Sequence, residues 1–209
     1  MNEHDSISNT RLLTADERAE ALDLLETGLR EVPMYRWLLG PSAESDAYRW
    51  FGEVLFADHL PGLHGRFSET GDLLGLVATA EPNHATQPVD QDLTARTRHF
   101  VTTLDGFVER FTELREKSRE SMLTGTVRLV FGLVRPDHRR RRILSDLLRP
   151  IVDQTGRRGL SATLGTADPE LREFFCRRRW GGEVYGEFSL TDGPTVWLVR
   201  IGPPTDAPH

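Results

Sequence analysis

The chain of 209 residues has one cysteine, and it has no apolar stretch of membrane-spanning length. With Cys176 alone, an intramolecular disulfide is impossible and a cysteine-based zinc site is excluded. The N-terminal stretch MNEHDSISNT is acidic and polar, unlike a secretory signal. These absences predict a cytoplasmic protein that does not associate with a membrane.

Overall basicity is lacking as well, because the formal net charge is -6. This balance argues against a protein that binds nucleic acid through general basicity, although a local basic patch stays open. Lys117 is the only lysine, and we interpret the predominance of arginine as coding bias. The length predicts a single domain over residues 1–209.

The N-terminal half shows an alternation of helix and strand signals. Thr14 and Glu17 have capping-box spacing at the start of an amphipathic helix. Two strands are predicted around the turn at Gly71-Asp72. Apolar residues recur at about helical spacing in the polar segment from about 90 to 122, which predicts a helical insertion with a break near Leu104 to Gly106.

The C-terminal half begins with VRLVFGLV, an apolar run from Val127 that is typical of a central strand buried on both faces. An amphipathic helix is predicted next, up to Gly156 and Gly159. A short strand, a helix starting at Asp168-Pro169 and a terminal hairpin complete the pattern. Residues 202–209 are predicted to form a frayed tail.

Four consecutive arginines interrupt this pattern in the stretch VRPDHRRRRILSDLL. A solvated helix end, a nucleic-acid patch shared with CRRRW (Cys176 to Trp180), and a phosphate cradle are the alternatives. Cations are disfavoured at a helix N-terminus, where backbone amides attract anions, so an anionic ligand would relieve the conflict. Neither a dinucleotide fingerprint nor a P-loop is present. We therefore expect another type of phosphate site and no nucleic-acid partner.

The stretch FGLVRPDHRRRRILSDLLRPIVDQTGRRG resembles the cofactor motif of the GCN5-related N-acetyltransferases (GNAT), in which a V-x-P strand end precedes an R/Q-x-x-G-x-G/A turn and a helix. LSATLGTADPELREFFCRRRWGGEVYGEFSL is similar to the closing segment of that family. The layout looks most like the puromycin N-acetyltransferase type, which has a helical insertion before the central strand and ends in a strand similar to GPTVWLVRI. The resemblance implies an α/β fold with a mixed, mostly antiparallel twisted sheet flanked by helices.

The same resemblance implies a cosubstrate and a set of binding residues. Acetyl-CoA or another acyl-CoA would donate its acyl group to a small-molecule amine, such as an antibiotic or other secondary metabolite. Leu133 and Val134 would pair by backbone with the pantetheine arm, and Asp168 lies near an asparagine that often contacts CoA. The R/Q side chain and the amides for the pyrophosphate would come from the turn: Arg139, Arg140, Arg141, Arg142, Ile143, Leu144 and Ser145.

Two positions depart from the family pattern. Arg142 and Leu144 stand where the turn usually has glycines, which let the backbone approach a phosphate. Phe175 stands at the position of the tyrosine that protonates the leaving thiolate, and it has no proton to give. These departures favour the alternative that a diverged scaffold binds or regulates without acetyl transfer, or catalyses another reaction in the same cleft. Tyr185 would replace the missing acid if the terminal strand turned it inward.

Other candidates for chemistry each have a structural alternative. Glu81, at the end of the hairpin strand, is the candidate general base, or a solvated turn carboxylate. His84 and His99 could serve instead or lie on the surface. Cys176 could be a nucleophile beside arginines, or a packed residue. No His/Asp/Glu group has metal-ligand spacing.

An aromatic group in the N-terminal half could line an acceptor pocket or pack in the core. It comprises Tyr35, Trp37, Trp50, Phe51 and Phe56. A monomer and a homodimer both remain open.

Overall fold

A computed structural model describes residues 9–81 and 90–202. Its strands form one open sheet in the order β1-β2-β3-β4-β5-β7-β6. Only the β4–β5 pair is parallel, so the mixed, mostly antiparallel sheet is confirmed. The strands are β1 (Thr10–Leu12), β2 (Leu63–Phe67), β3 (Leu73–Ala80), β4 (Thr126–Val134), β5 (Ser161–Thr166), β6 (Glu183–Ser189) and β7 (Thr195–Ile201).

Helices cover both faces of the sheet. They are α1 (Arg18–Leu29), α2 (Pro33–Leu39), α3 (Ser45–His59), α4 (Gln91–Thr103), α5 (Phe107–Glu120), α6 (Ile143–Arg157) and α7 (Pro169–Cys176). Within the two described ranges, no helix has the length and apolar character needed to cross a bilayer.

Two hydrophobic clusters divide the core between the faces. One joins α1 to α5 with the sheet and contains Leu22, Leu25 and Phe131. The other places α6 and α7 against the opposite face through Leu147 and Val199. Because residues of a strand alternate between faces, the sheet supplies side chains to both clusters.

The predicted helical insertion is present as α4 and α5. Gly106, with φ +66, ends the break between them, and Asp90 caps α4 by accepting from Asp92 N at 2.8 Å. The insertion packs on α3, since Trp50 stacks on Phe100 with ring centroids 4.9 Å apart. A helical segment with so few buried residues depends on this packing, because its own propensity is weak support.

Local helix signals are confirmed at two starts. The backbone N and Oγ1 of Thr14 both donate to Glu17 Oε2 at 2.6 Å. Asp168 accepts from Glu170 N at 2.8 Å and begins α7. Of the predicted tail, only Gly202 lies within the described residues.

Candidate active site

An opening in the sheet separates the two parallel strands. β4 and β5 pair only from Thr126 to Leu129, opposite Ser161 to Leu164. Their joined end is closed by a 3.1 Å hydrogen bond between the hydroxyls of Thr126 and Thr163. β4 then continues to Val134 without a partner on its β5 side among the described residues.

A β-bulge marks the point where the strands part. Ala78 pairs with Phe131 and Thr79 pairs with Leu129, so Val130 is an extra residue in β4. A bulge bends its strand and re-aims the side chains that follow. Leu129 accordingly belongs to the α6 cluster, whereas Phe131 belongs to the α1 cluster.

Backbone groups on the exposed edge of β4 face the opening. Arg135 N donates to Leu74 O at 2.9 Å, so this amide points towards β3. Successive residues of a strand direct their amides to opposite sides, which turns Val134 and Gly132 towards the opening. Leu133 faces β3 instead, because its carbonyl lies 2.9 Å from the Cβ position of Gly75. Of the two predicted pantetheine contacts, the geometry therefore supports Val134.

The arginine turn follows β4 and adopts a backbone that glycine normally favours. Arg140 and Arg142 have φ of 62 and 65. Left-handed backbone at a residue with a Cβ costs about 1–2 kcal/mol. Leu144, the second predicted glycine position, is helical and lies in α6, with its Cδ1 3.3 Å from the Cβ position of Gly132. The left-handed conformation thus occurs at Arg142 and, unexpectedly, at Arg140.

The turn presents amides and cations together at the start of α6. Asp146 N makes the first helical hydrogen bond, to Arg142 O at 2.9 Å, so the preceding amides of Ile143 to Ser145 have no helical acceptor. Within the described ranges, the guanidinium groups of Arg140, Arg141 and Arg142 have no hydrogen-bond or ion-pair partner. Turns with left-handed residues orient amides towards an anion, and the helix dipole adds to this.

Arg139 is already engaged by the protein. Its Nε donates to Val134 O at 3.3 Å, and its Nη2 pairs with Glu31 beyond the end of α1. The side chain therefore ties the end of β4 to the opposite face of the sheet. Asp168 is engaged too, since its carboxylate caps α7.

Neither Phe175, at the family's tyrosine position, nor Tyr185, the proposed replacement, is placed as a proton donor. Phe175 is 5% exposed and packs with Phe174 and Trp180 at ring distances of 5.0 and 6.1 Å. Tyr185 is half-buried, and its hydroxyl donates to Ser121 O at 3.2 Å at the end of α5. Burial raises the pKa of Tyr185, which strengthens its hold on that proton.

Glu81 lies at the joined end of the two strands. Its neighbour Ala80 pairs with Arg128 near the start of β4, whereas the opening lies beyond Leu129. Arg158 donates to both carboxylate oxygens and holds the pKa of Glu81 below its ordinary value. The predicted base role has no support from this placement. Of the histidine candidates, His99 is exposed on α4, and His84 lies outside the described residues.

A cleft lies on the face of the sheet that α1 to α5 cover, at the end towards which β4 and β5 open. Thr166, the last residue of β5, pairs with Trp197 of β7, so the turn before β7 lies at this open end. That turn, α2 and α5 border an open cleft of about 1030 Å³. The volume is of the size expected for a small-molecule site. The lining residues are Pro33, Arg36, Trp37, Pro41, Gly106, Glu109, Arg110, Glu113, Thr191, Asp192, Gly193 and Pro194.

The β6–β7 turn is bound to both helices of the cleft. Trp37 Nε1 donates to Thr191 O at 2.9 Å. Glu113 accepts from the backbone N of Thr191 at 2.8 Å and from its hydroxyl at 2.9 Å. Lys117 pairs with Glu113 and lowers the pKa of that carboxyl. The walls of the cleft are thus held together by contacts between segments distant in sequence.

Most of the aromatic group predicted from the sequence packs in the core. Tyr35, Trp50, Phe51 and Phe56 are 5% exposed or less, so the pocket interpretation is wrong for these four, because they fill the space between α2, α3 and the sheet. Trp37 does line the cleft. Cys176 is exposed.

The sequence interpretation missed most residues of the cleft. Arg110, Glu113 and Thr191 belong to no sequence motif. Arg110 reaches the cleft through its contact with Leu38 of α2, and Glu113 through its contact with Thr191 of the β6–β7 turn. The described ranges hold no group of three or more His, Cys, Asp or Glu side chains arranged for a metal ion.

The sheet and its flanking helices have the fold of the GCN5-related N-acetyltransferases. The chain is similar to a histone acetyltransferase HPA2-related acetyltransferase from Corynebacterium glutamicum, with 13% identity over 95% of this chain and 97% of that one and a TM-score of 0.66. It is similar to arylalkylamine N-acetyltransferase 2 from Aedes aegypti, with 10% identity, 91% and 96% coverage and a TM-score of 0.65. It also resembles the C-terminal condensation domain of Ebony in complex with β-alanyl-dopamine, with 10% identity, the same coverage and a TM-score of 0.64.

No family model matches the sequence, and no curated protein matches it significantly. At these identities, the structural likeness establishes the fold.

Proposed function

We propose that the chain is an acyltransferase that moves an acetyl or related acyl group from CoA to a small-molecule amine. Residues 1–209 form one acyltransferase domain in this proposal, with the layout of the puromycin N-acetyltransferase type. The acceptor is an antibiotic or other secondary metabolite, and the enzyme works in the cytoplasm. A monomer and a homodimer are both compatible with the proposal.

One arrangement carries the proposal: β4 and β5 part beyond Leu129, the arginine turn follows β4, and the cleft lies beside the β6–β7 turn at the open end of these strands. An acyl-CoA with its pyrophosphate on the turn would extend its pantetheine arm along the exposed edge of β4, where Val134 and Gly132 offer backbone groups. The thioester would then meet an amine that enters from the cleft. The protein contributes mainly by holding the two reactants in contact.

The reaction is a direct transfer. The amine nitrogen attacks the thioester carbon and a C–N bond forms, after which the C–S bond breaks and the CoA thiolate leaves. The amine gives up its proton to water, and the thiolate takes one. Because Phe175 has no acidic proton and the hydroxyl of Tyr185 is bound to Ser121 O, the thiolate takes its proton from water.

The proposal is tested by incubating the protein with acetyl-CoA and a panel of amines. Thiol release and the mass of the product are measured. We expect amine-dependent thiol release with an N-acetylated product. A panel without turnover, from a protein that binds acetyl-CoA, would contradict acyl transfer.

A matched pair of double variants tests the role of the turn. Arg140→Gln with Arg141→Gln should weaken acetyl-CoA binding, since each removes a cation without a counter-ion. Arg178→Gln with Arg179→Gln makes the same charge change at exposed positions beyond α7 and should leave binding unchanged. Equal losses in the two pairs would mean that only overall charge matters.

A second candidate function is a different reaction in the same cleft, or ligand binding without transfer. The placement of Phe175 and Tyr185 favours it, because neither presents a proton to a leaving thiolate. The likeness to a condensation domain is compatible with another reaction on this fold. Acetyl-CoA binding without thiol release would favour this candidate.

A further inference from the structure

A guanidinium without a counter-ion forms part of the cleft wall. Arg110 Nε donates to Leu38 O at 2.9 Å, and its Nη2 donates to Asp105 O at 2.8 Å. Both acceptors are uncharged carbonyls, and no carboxylate in the described ranges pairs with this side chain. Within the described ranges it therefore forms no ion pair, while two hydrogen bonds fix its orientation.

Two glycines make room for this side chain. A Cβ at Gly40 would lie 2.8 Å from Arg110 Nη2, and a Cβ at Gly106 would lie 2.8 Å from Nη1. Both glycines have positive φ, +92 and +66. The surrounding backbone thus holds the guanidinium in place. Nε and one hydrogen of Nη2 are used in the bonds to Leu38 and Asp105, which leaves Nη1 and the second Nη2 hydrogen to donate to a carboxylate.

The same cleft has further charges without partners. Arg36 is exposed on α2 and forms no ion pair within the part of the chain that the structure describes. Glu109 and Asp192 line the cleft and are likewise unpaired there. Glu113 differs from them, because Lys117 and Thr191 already occupy its carboxylate.

These charges discriminate between classes of ligand. An amine alone would leave the guanidinium groups of Arg36 and Arg110 without a counter-ion. A carboxylate alone would leave Glu109 and Asp192 without one. A molecule with both groups satisfies both sets, and an apolar body would lie against Trp37, Pro33 and Pro41.

We infer that the acceptor is an amine that also carries a carboxylate, such as an amino acid or a secondary metabolite with a free carboxyl group. Arg110 and Arg36 hold the carboxylate, and Glu109 and Asp192 attract the ammonium group before it loses its proton. The inference rests on the proposed acyl transfer, because it assigns the cleft to the acceptor.

Calorimetry with three probes of similar shape tests the inference. L-phenylalanine has both charged groups, phenethylamine has the amine alone, and 3-phenylpropanoate has the carboxylate alone. We expect L-phenylalanine to bind most tightly. Arg36→Gln should weaken both carboxylate probes about tenfold, the value of one charge-assisted hydrogen bond, and leave phenethylamine unchanged.

Two further variants complete the design. Arg110→Gln should also weaken the two carboxylate probes and leave phenethylamine unchanged, but it removes contacts to Leu38 and Asp105 that hold the fold. Arg36→Gln should not affect folding, because Arg36 is exposed and forms no ion pair with a described residue. Arg98→Gln, at an exposed position on α4, is the control and should change no probe.

The outcomes separate this inference from acyl transfer itself. Phenethylamine binding as tightly as L-phenylalanine, or neither carboxylate binding at millimolar concentration, would overturn the carboxylate site. Thiol release from acetyl-CoA with phenethylamine but not L-phenylalanine would overturn it too, while acyl transfer would stand. Carboxylate binding without thiol release would support the site and contradict acyl transfer.

Discussion

Arg158 donates two hydrogen bonds to the carboxylate of Glu81, from Nη1 to Oε1 at 2.7 Å and from Nη2 to Oε2 at 2.8 Å. The hydrogen bonds stabilise the ionised carboxylate and lower its pKa below the ordinary 4.5. A carboxylate held in this way is a weaker base, and it lies at the end of β3 away from the opening between β4 and β5.

Glu81→Gln should therefore leave kcat/KM for acetyl transfer within about twofold, whereas the loss of a general base costs about 10²–10⁴. A loss of that size would place Glu81 in catalysis.

The lowered pKa of Glu81 has a separate effect on stability. The ionised pair stabilises the fold above pH 4.5, and this contribution is lost as the pH falls. Glu81→Gln should remove that part of the acid sensitivity in thermal unfolding curves, and the effect should be small because the pair is half-exposed.

Phe175→Tyr should destabilise the protein rather than restore an acid. A hydroxyl added to this buried ring lies among Phe174, Trp180 and the α6 cluster, where burial without a partner costs about 1–3 kcal/mol. Phe174→Tyr is the matched control, because Phe174 is only partly buried. Chemical denaturation compares the two variants. A gain in acetyl transfer by Phe175→Tyr at unchanged stability would contradict the close packing of the Phe175 ring.

Arg142→Gly should stabilise the free protein. Its φ of 65 suits glycine, so the substitution removes left-handed strain at an arginine and should raise Tm by roughly 2–4 °C. Arg141→Gly removes the same charge at a residue without positive φ and should be neutral or lower Tm, since glycine loses more backbone entropy on folding. Equal shifts in the two variants would point to charge rather than backbone strain.

Gly193→Ala should disturb the proposed acceptor cleft selectively. A Cβ at this position would lie 2.4 Å from Trp37 Nε1, so either the Trp37 ring or the β6–β7 turn must shift. We expect KM for the amine to rise while KM for acetyl-CoA stays unchanged. Gly156→Ala has open space around its Cβ and serves as the control. An equal rise in KM for acetyl-CoA would show that the cleft and the cofactor site are not separate.

Local signals allowed much of the fold to be predicted. Asp168-Pro169 begins α7 as expected, and the break in the insertion falls at Leu104 to Gly106 because glycine there adopts positive φ. The central strand was only partly predicted. VRLVFGLV was expected to be buried on both faces, but Gly132 is exposed because β5 leaves β4 after Leu129.

The site was less predictable, because its parts meet through long-range packing. The bulge at Val130 has no residue signature, and it re-aims the strand that borders the opening. In the sequence, nothing distinguishes Arg110 from the other arginines of an amphipathic helix. The position of its guanidinium depends on Gly40 and Leu38, which contact it only in the folded chain. The resemblance placed the family's glycines at Arg142 and Leu144, but it did not predict the positive φ that Arg140 and Arg142 both adopt.

The central claim is that the arginine turn binds the phosphates of an acyl-CoA. Titration calorimetry with acetyl-CoA tests it most directly, beside a titration with S-acetylpantetheine, which has the thioester arm but no phosphate. We expect saturable binding of acetyl-CoA that weakens as salt is added, and at least about tenfold weaker binding of S-acetylpantetheine. No binding of acetyl-CoA at millimolar concentration, or equal binding of the two compounds, would contradict it.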